Sequence, residues 1–265
     1  MMSAMAARWY FGWNIVAAAA FLTLLSSGMR LSFGPFFLPM AQDLGFSRSL
    51  LASIVAVGML AYGLAMPLAG ALVGRFGTPP VLLLGNALVV AAALWTVVTD
   101  SATSFLLAFG LLLSVGLAFT SPVAVTPVIS QWFTQRRGMA LFFLSTGSMA
   151  GIAVLTPVLT FAIQQVGWRA TLVGFAAVFT LFTLPAAVFV VRDGAPDHAD
   201  LSPEEFAVQR ARAGVQLQSL KLREAMRTVP FWNIFFGLFA CGFSMNLLGT
   251  HGIPMLMDHG FDAFS

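Results

Sequence analysis

The chain has 265 residues, of which 59% are hydrophobic and 9% charged, with a mean hydropathy of +0.90 and a net charge of +3. A water-soluble domain carries roughly 25% charged residues, so a surface facing water on all sides is excluded and lipid is the expected solvent. No basic face outside the apolar runs supports a nucleic-acid role, and a single cysteine, Cys241, excludes a disulfide framework.

Apolar runs of about 20 residues cross a bilayer as helices. Seven are expected here: Trp13–Leu38, Leu50–Val73, Pro80–Val98, Phe105–Ile129, Met139–Ile163, Ala170–Val191 and Phe231–Met257. The first run is too long for a secretory leader. Period-two alternation is absent, which argues against a β-barrel. The expected fold is an all-α integral membrane bundle.

Span one carries Thr23, Ser26, Ser27, Arg30 and Gly34, spaced three to four apart on one helical stripe. Arg30 is the sharpest single residue. An arginine at the centre of a bilayer costs about 2.5–3.5 kcal/mol on insertion scales, so it marks a function or finds a partner. A polar stripe with one cation suits a cavity for a carboxylate, because guanidinium binds carboxylates in bidentate fashion. The plainer reading is that Arg30 snorkels outward or bonds a neighbouring carbonyl.

Short loops and small residues follow. Gly70-Ala71-Leu72-Val73-Gly74-Arg75-Phe76-Gly77-Thr78-Pro79-Pro80 joins spans two and three. Gly70/Gly74 and Gly147/Gly151 have the G-x-x-x-G spacing that lets helices approach closely. Pro122, Pro127 and Pro157 are expected to bend spans four and five. Trp13, Trp132 and Trp168 fall at span ends, as interfacial indoles do.

A polar segment follows span six. It carries Asp193, Asp197, Asp200, Glu204 and Glu205, then mostly basic residues. Ser202-Pro203-Glu204-Glu205 has the form of a helix start. The segment reads as a tether between two halves.

Span seven holds Asn246, a candidate for the cavity, and His251. His251 admits two readings, a proton-sensitive gate or a hydrogen-bonded packing residue near the interface.

Span seven also closes on a repeat. Pro254-Met255-Leu256-Met257-Asp258-His259-Gly260-Phe261 repeats the P-M-x-x-D-x-G-F pattern of Pro39-Met40-Ala41-Gln42-Asp43-Leu44-Gly45-Phe46, and Gly249 matches Gly34 at the same offset. A period that long means that a second structural unit begins with span seven. The expected organisation is a six-helix half over 1–191, an inter-half loop over 192–229, and the first helix of a second half over 230–265.

Topology follows from charge. With the N-terminus in the cytoplasm, Arg8, Arg75, Arg136, Arg137, Arg192, Arg210, Arg212, Lys221, Arg223 and Arg227 face inward, and only Arg48 and Arg169 face outward. That is a clear positive-inside bias. Every acid falls outside the spans. Coupling to protons or to a counter-anion is therefore left open, since coupled carriers usually hold a carboxylate or histidine in the membrane.

Several of these motifs carry a resemblance. The loop over 70–80 resembles the G-x-L-x-D-R-x-G-R-R loop of the major facilitator superfamily. Gly70, Leu72, Arg75 and Gly77 match, whereas Gly74 holds the acidic place and Thr78-Pro79-Pro80 replaces the basic pair. Ser32-Phe33-Gly34-Pro35-Phe36-Phe37, Gln131-Trp132-Phe133-Thr134-Gln135-Arg136-Arg137-Gly138-Met139-Ala140 and Gly167-Trp168-Arg169 resemble bacterial relatives of monocarboxylate transporters and oxalate–formate exchangers within that superfamily.

The resemblance implies a twelve-helix fold and movement of small organic anions by alternating access across the inner or plasma membrane. Arg30, Ser27, Phe33, Phe119, Asn246 and His251 would then be substrate-site candidates. Gly70, Arg75, Gly77, Arg136 and Arg137 would form the inner gating loops. No cofactor or metal is expected, and no catalytic motif supports an enzyme. The rival readings are an efflux carrier for amphipathic drugs in the same superfamily, a seven-helix receptor, and an inactive gene fragment.

Overall fold

The computed structural model describes residues 10–194, residue 224 and residues 226–258, with side chains as far as residue 244. All regular structure among the described residues is helical. In hydrocarbon every backbone amide must be satisfied within its own segment, and a helix does this. Five described helices are long and apolar enough to cross a membrane. The chain divides into two units, Met1–Phe206 and Ala207–Ser265.

In the first unit, α1 (Gly12–Leu31) is followed by the short α2 (Gly34–Leu44). Hydropathy reads 13–38 as one continuous span, and the structure breaks it at Ser32–Phe33. The break follows from Pro35, which lacks the N–H that would reach the Leu31 carbonyl. α1 closes on its own carbonyls, with Ser32 N donating to Gly28 O at 2.8 Å. α2 ends at Gly45, whose φ of 65° is a left-handed cap.

α3 (Arg48–Phe76) is capped by Ser47, whose hydroxyl accepts from Leu50 N. α4 (Thr78–Val98) follows after a single residue, Gly77.

α5 (Ala102–Trp132) is interrupted twice. Leu106–Leu113 winds as π-helix. Thr120 and Ser121 then leave the helix just before Pro122, the first residue of the next segment. Ser26 Oγ on α1 donates to the Thr120 carbonyl at this break.

The next helical run is Arg137–Pro185, continued by a π turn over Ala186–Val190. It is non-helical at one residue, Gly167, with φ 81° and ψ 165°. That backbone is strained for any residue with a Cβ. Gly167 thus separates α6 (residues 137–166) from α7 (168–190).

Glycines set how closely these helices cross. A Cβ on Gly151 of α6 would run into the Leu24 carbonyl of α1 and sit 3.0 Å from Gly28 N. Gly147 meets the Ala20 carbonyl in the same way. Gly70 by contrast has only Val123 nearby, at 3.8 Å, and Gly74 has nothing within 4 Å. So one G-x-x-x-G pair makes a helix crossing and the other does not.

The outer faces of the bundle are apolar: Leu64 is 74% exposed and Leu181 67%. They suit lipid.

Each end of the unit is tied by polar contacts. At one end Tyr10 Oη donates to Trp132 O, Trp132 Nε1 donates to Arg192 O, and Thr78 N donates to Asp193 Oδ2. At the other, Arg169 pairs with Asp43 at 2.6 Å and Asp100 at 3.0 Å, and Trp168 Nε1 donates to Asp43.

The second unit contains α8 (Val229–Asp258). Trp232 Nε1 near its start donates to Met226 O. The helix start expected over 202–205 lies outside the described residues.

Candidate functional site: the Arg30 cleft

The α1–α2 break places the site. Arg30 lies in the last turn of α1, and Phe33 follows where the helix has ended. Across from them stand Ile54, Gly58 and Met59 of α3 and Phe109, Gly110 and Leu113 of the π segment. Together they line a small, open-mouthed cleft.

Gly58 lets α3 approach α5 at the cleft wall, since a Cβ there would lie 2.9 Å from both Gly110 O and Ser114 Oγ. The walls are largely apolar. Phe33 packs on Phe109 at 5.2 Å between ring centres, and Phe109 stacks on Phe105 at 5.3 Å.

Arg30 is the one charged residue lining the cleft among the described residues. Its guanidinium carbon sits 4.6 Å from the centre of the Tyr62 ring, over its face. Arg30 takes part in neither ion pair of the described residues; these join Arg169 to Asp43 and to Asp100. Arg30 Nε is buried and makes no hydrogen bond of its own among the described residues. The Tyr62 hydroxyl lies close to the Arg30 and Ser121 side chains. Chemically, this is a cation held by an aromatic face, without a carboxylate partner among the described residues, beside an apolar pocket. Such a site suits an anion with an apolar body.

The other residues of the polar stripe do different work. Thr23 Oγ1 bonds back to Ala20 O, Ser26 reaches Thr120 O, and Ser27 Oγ accepts from Ser148 Oγ at 2.8 Å. Ser27 is 4% exposed and lies outside the cleft lining. Phe119 is also buried, against Gly85 of α4. Asn246 and His251 fall on α8, and their side chains lie outside the described residues.

The gating-loop residues gather at one end of the unit. Arg75 is exposed in the last turn of α3, over the Phe76 ring. Arg136 precedes α6 and accepts from Ala140 N, and Arg137 is its first residue. Gly77 has φ 86°, and a Cβ there would strike the Asp193 carboxylate.

Sequence reading missed Tyr62, Ser121 and Asp193. A tyrosine inside an apolar span was the available signal for the first, as one of two tyrosines in the chain.

The chain matches the Major Facilitator Superfamily over residues 16–265, and it belongs to that family. It is a multi-pass membrane protein of a transporter family, not an enzyme. It is 27% identical to the uncharacterized MFS-type transporter YcxA of Bacillus subtilis (strain 168), over 93% of this chain and 58% of that protein. It is 29% identical to human monocarboxylate transporter 11, over 68% of this chain and 38% of that protein. Identity to human monocarboxylate transporter 7 is 26%, over 61% of this chain and 31% of that protein. The matches thus cover between about a third and three-fifths of the length of these relatives.

Proposed function

We propose that the chain serves a secondary transporter that moves small organic anions, monocarboxylates first, by alternating access. The observation that carries this reading is Arg30: a guanidinium without a carboxylate partner among the described residues, facing an apolar cleft between α1, α3 and the π segment of α5. A cation in the membrane interior is costly and marks a functional site. Two relatives, monocarboxylate transporters 7 and 11, support the substrate class by their names.

In this reading Arg30 anchors the carboxylate and Phe33 with Phe109 walls its apolar part. Ser27 and Phe119 support the helices around the cleft. Asn246 and His251 of the second unit are candidates for further substrate contacts. The protein would sit in the inner or plasma membrane with its N-terminus in the cytoplasm, coupled to a proton or exchanging a counter-anion. An efflux carrier of lipophilic cations would gain nothing from an unpaired guanidinium at this place.

The test is uptake of a radiolabelled monocarboxylate into proteoliposomes holding the protein expressed from its native reading frame. Losing a charge-assisted contact costs about 1.5–3 kcal/mol, so Arg30→Gln should lower kcat/KM by about ten- to a hundredfold. Uptake by Arg30→Gln at the parental rate would end this reading.

A further inference from the structure

Arg30 poses a problem that the cleft itself does not solve. A long, charged side chain beside an apolar pocket has many rotamers, and fixing it costs up to roughly 2 kcal/mol of rotamer entropy. Left alone it would snorkel toward water. A carboxylate partner would hold it, but would also neutralise the charge and fill the donors that a substrate needs.

Tyr62 holds it without either loss. An aromatic ring attracts a cation through its face. The guanidinium N–H donors lie in the guanidinium plane, so they stay available while the face is covered. Tyr62 itself is buried at 6% exposure on α3, which fixes the ring by packing. The Tyr62 hydroxyl reaches the Arg30 and Ser121 side chains as well, so the ring is held at both its face and its tip.

We propose that Tyr62 is the positioning residue for Arg30: its ring pre-orders the guanidinium over its face, so that Arg30 meets a monocarboxylate without first being ordered. This rests on the reading of Arg30 as the anion's anchor. The ring, rather than the phenolic hydroxyl, does the positioning. Pre-ordering of this kind raises affinity by lowering the cost of binding.

The experiment compares the parent with Tyr62→Phe, Tyr62→Leu and Arg30→Gln, using isovalerate, a monocarboxylate with an apolar tail, as the probe in proteoliposomes. A partly desolvated cation–π contact corresponds to about a two- to thirtyfold effect. Tyr62→Leu should raise KM for isovalerate by that factor and leave kcat within about twofold. Tyr62→Phe keeps the ring and should keep KM within about twofold. Should Tyr62→Leu fail to reach the membrane, Tyr62→Met fills the same space with a flexible chain and carries the same expectation.

An unchanged KM in Tyr62→Leu or Tyr62→Met overturns the proposal, as does a Tyr62→Phe that is impaired as much as Tyr62→Leu. A fall in kcat with KM unchanged would mark Tyr62 as structural and also overturns it. The two readings separate cleanly. Unimpaired uptake by Arg30→Gln, or no saturable uptake of isovalerate by the parent, removes the anion site and this proposal with it. Loss of uptake in Arg30→Gln beside parental behaviour in Tyr62→Leu removes only the role of Tyr62.

Discussion

The backbone amide of Thr78 donates to the carboxylate of Asp193 at 2.9 Å, joining the start of α4 to the segment that follows α7. A helix start presents unsatisfied N–H groups and a partial positive charge. Here Pro79 and Pro80 have no N–H to offer, and Gly77 has no side chain to cap with. Asp193 supplies the cap from a distant part of the chain. Removing a capping side chain costs about 1 kcal/mol, so Asp193→Ala should lower the unfolding midpoint of the purified protein by a few degrees. Gly77→Ala should cost more, since it combines a left-handed φ with a clash against the same carboxylate. The check is a thermal melt in detergent of both variants and their combination. If Gly77→Ala is no worse than Asp193→Ala, the clash has been relieved more easily than the geometry implies.

Gly151 and Gly28 face each other where α6 crosses α1, with the Gly28 amide nitrogen 3.0 Å from the place a Gly151 Cβ would take. Backbones cannot give way as a flexible side chain can. Overpacking of this kind typically costs about 1–3 kcal/mol. Gly151→Val should therefore lower the folded yield and the melting midpoint sharply. Gly74→Val, whose Cβ would meet open space, should leave both near the parental value. Equal behaviour of the two variants in size-exclusion yield and melting would contradict the crossing described here.

Asp43 accepts from both Arg169 and Trp168, whereas Asp100 accepts from Arg169 alone and is 83% exposed. Partly exposed ion pairs contribute about 0–1 kcal/mol and are screened by salt. Asp43→Asn should accordingly destabilise the protein modestly and more than Asp100→Asn does. The gap should narrow at about 1 M salt, where the Debye length is about 3 Å. Melts at low and high ionic strength read this directly, and a larger loss for Asp100→Asn would reverse the assignment of Asp43 as the hub.

Orientation can be read with thiols. Cys241 is the sole cysteine, so Cys241→Ser gives a clean background. Ser101 makes no side-chain cap bond, and it lies beside Asp100 at the Arg169 end; Thr134 lies beyond Trp132 at the other. With the N-terminus in the cytoplasm, Ser101→Cys should react with a membrane-impermeant maleimide on intact cells, and Thr134→Cys should react only after permeabilisation. The opposite pattern would invert the proposed topology.

Much of this architecture was legible in the sequence because lipid leaves a chain few choices. Runs such as Pro80–Val98 carry no charge, and their bounds differ from the observed helix by two residues at the start and none at the end. The break after Ser32 was harder to see. Hydropathy runs straight through it, and only Pro35 signals it. The π winding over Leu106–Leu113 has no signature in a run of leucine, alanine, phenylalanine and glycine.

The site was legible in its charge but not in its surroundings. Arg30 stands out because arginine is costly in a span. Tyr62, which holds it, is on another helix, and only the folded bundle brings the two together. Helical spacing put Ser27 on the same stripe as Arg30; its hydroxyl is spent on Ser148 of α6, a partner that no periodicity in α1 announces. Asp193 looked like the first acid of a tether, and its capping of α4 depends on a pairing with a residue 115 positions away.

The π segment Leu106–Leu113 has a consequence for how the cleft can change over evolutionary time. A wide turn accommodates one residue more than an α-helix would in the same rise, so it behaves as an insertion that the span has absorbed. Phe109, Gly110 and Leu113 line the cleft from within it. Deleting a single residue there would return the stretch to α-helical phase and rotate its side chains by about 100°, exchanging the aromatic wall for another set of residues while leaving the flanking helices in register. A substrate preference could thus shift by a change in length rather than by substitution.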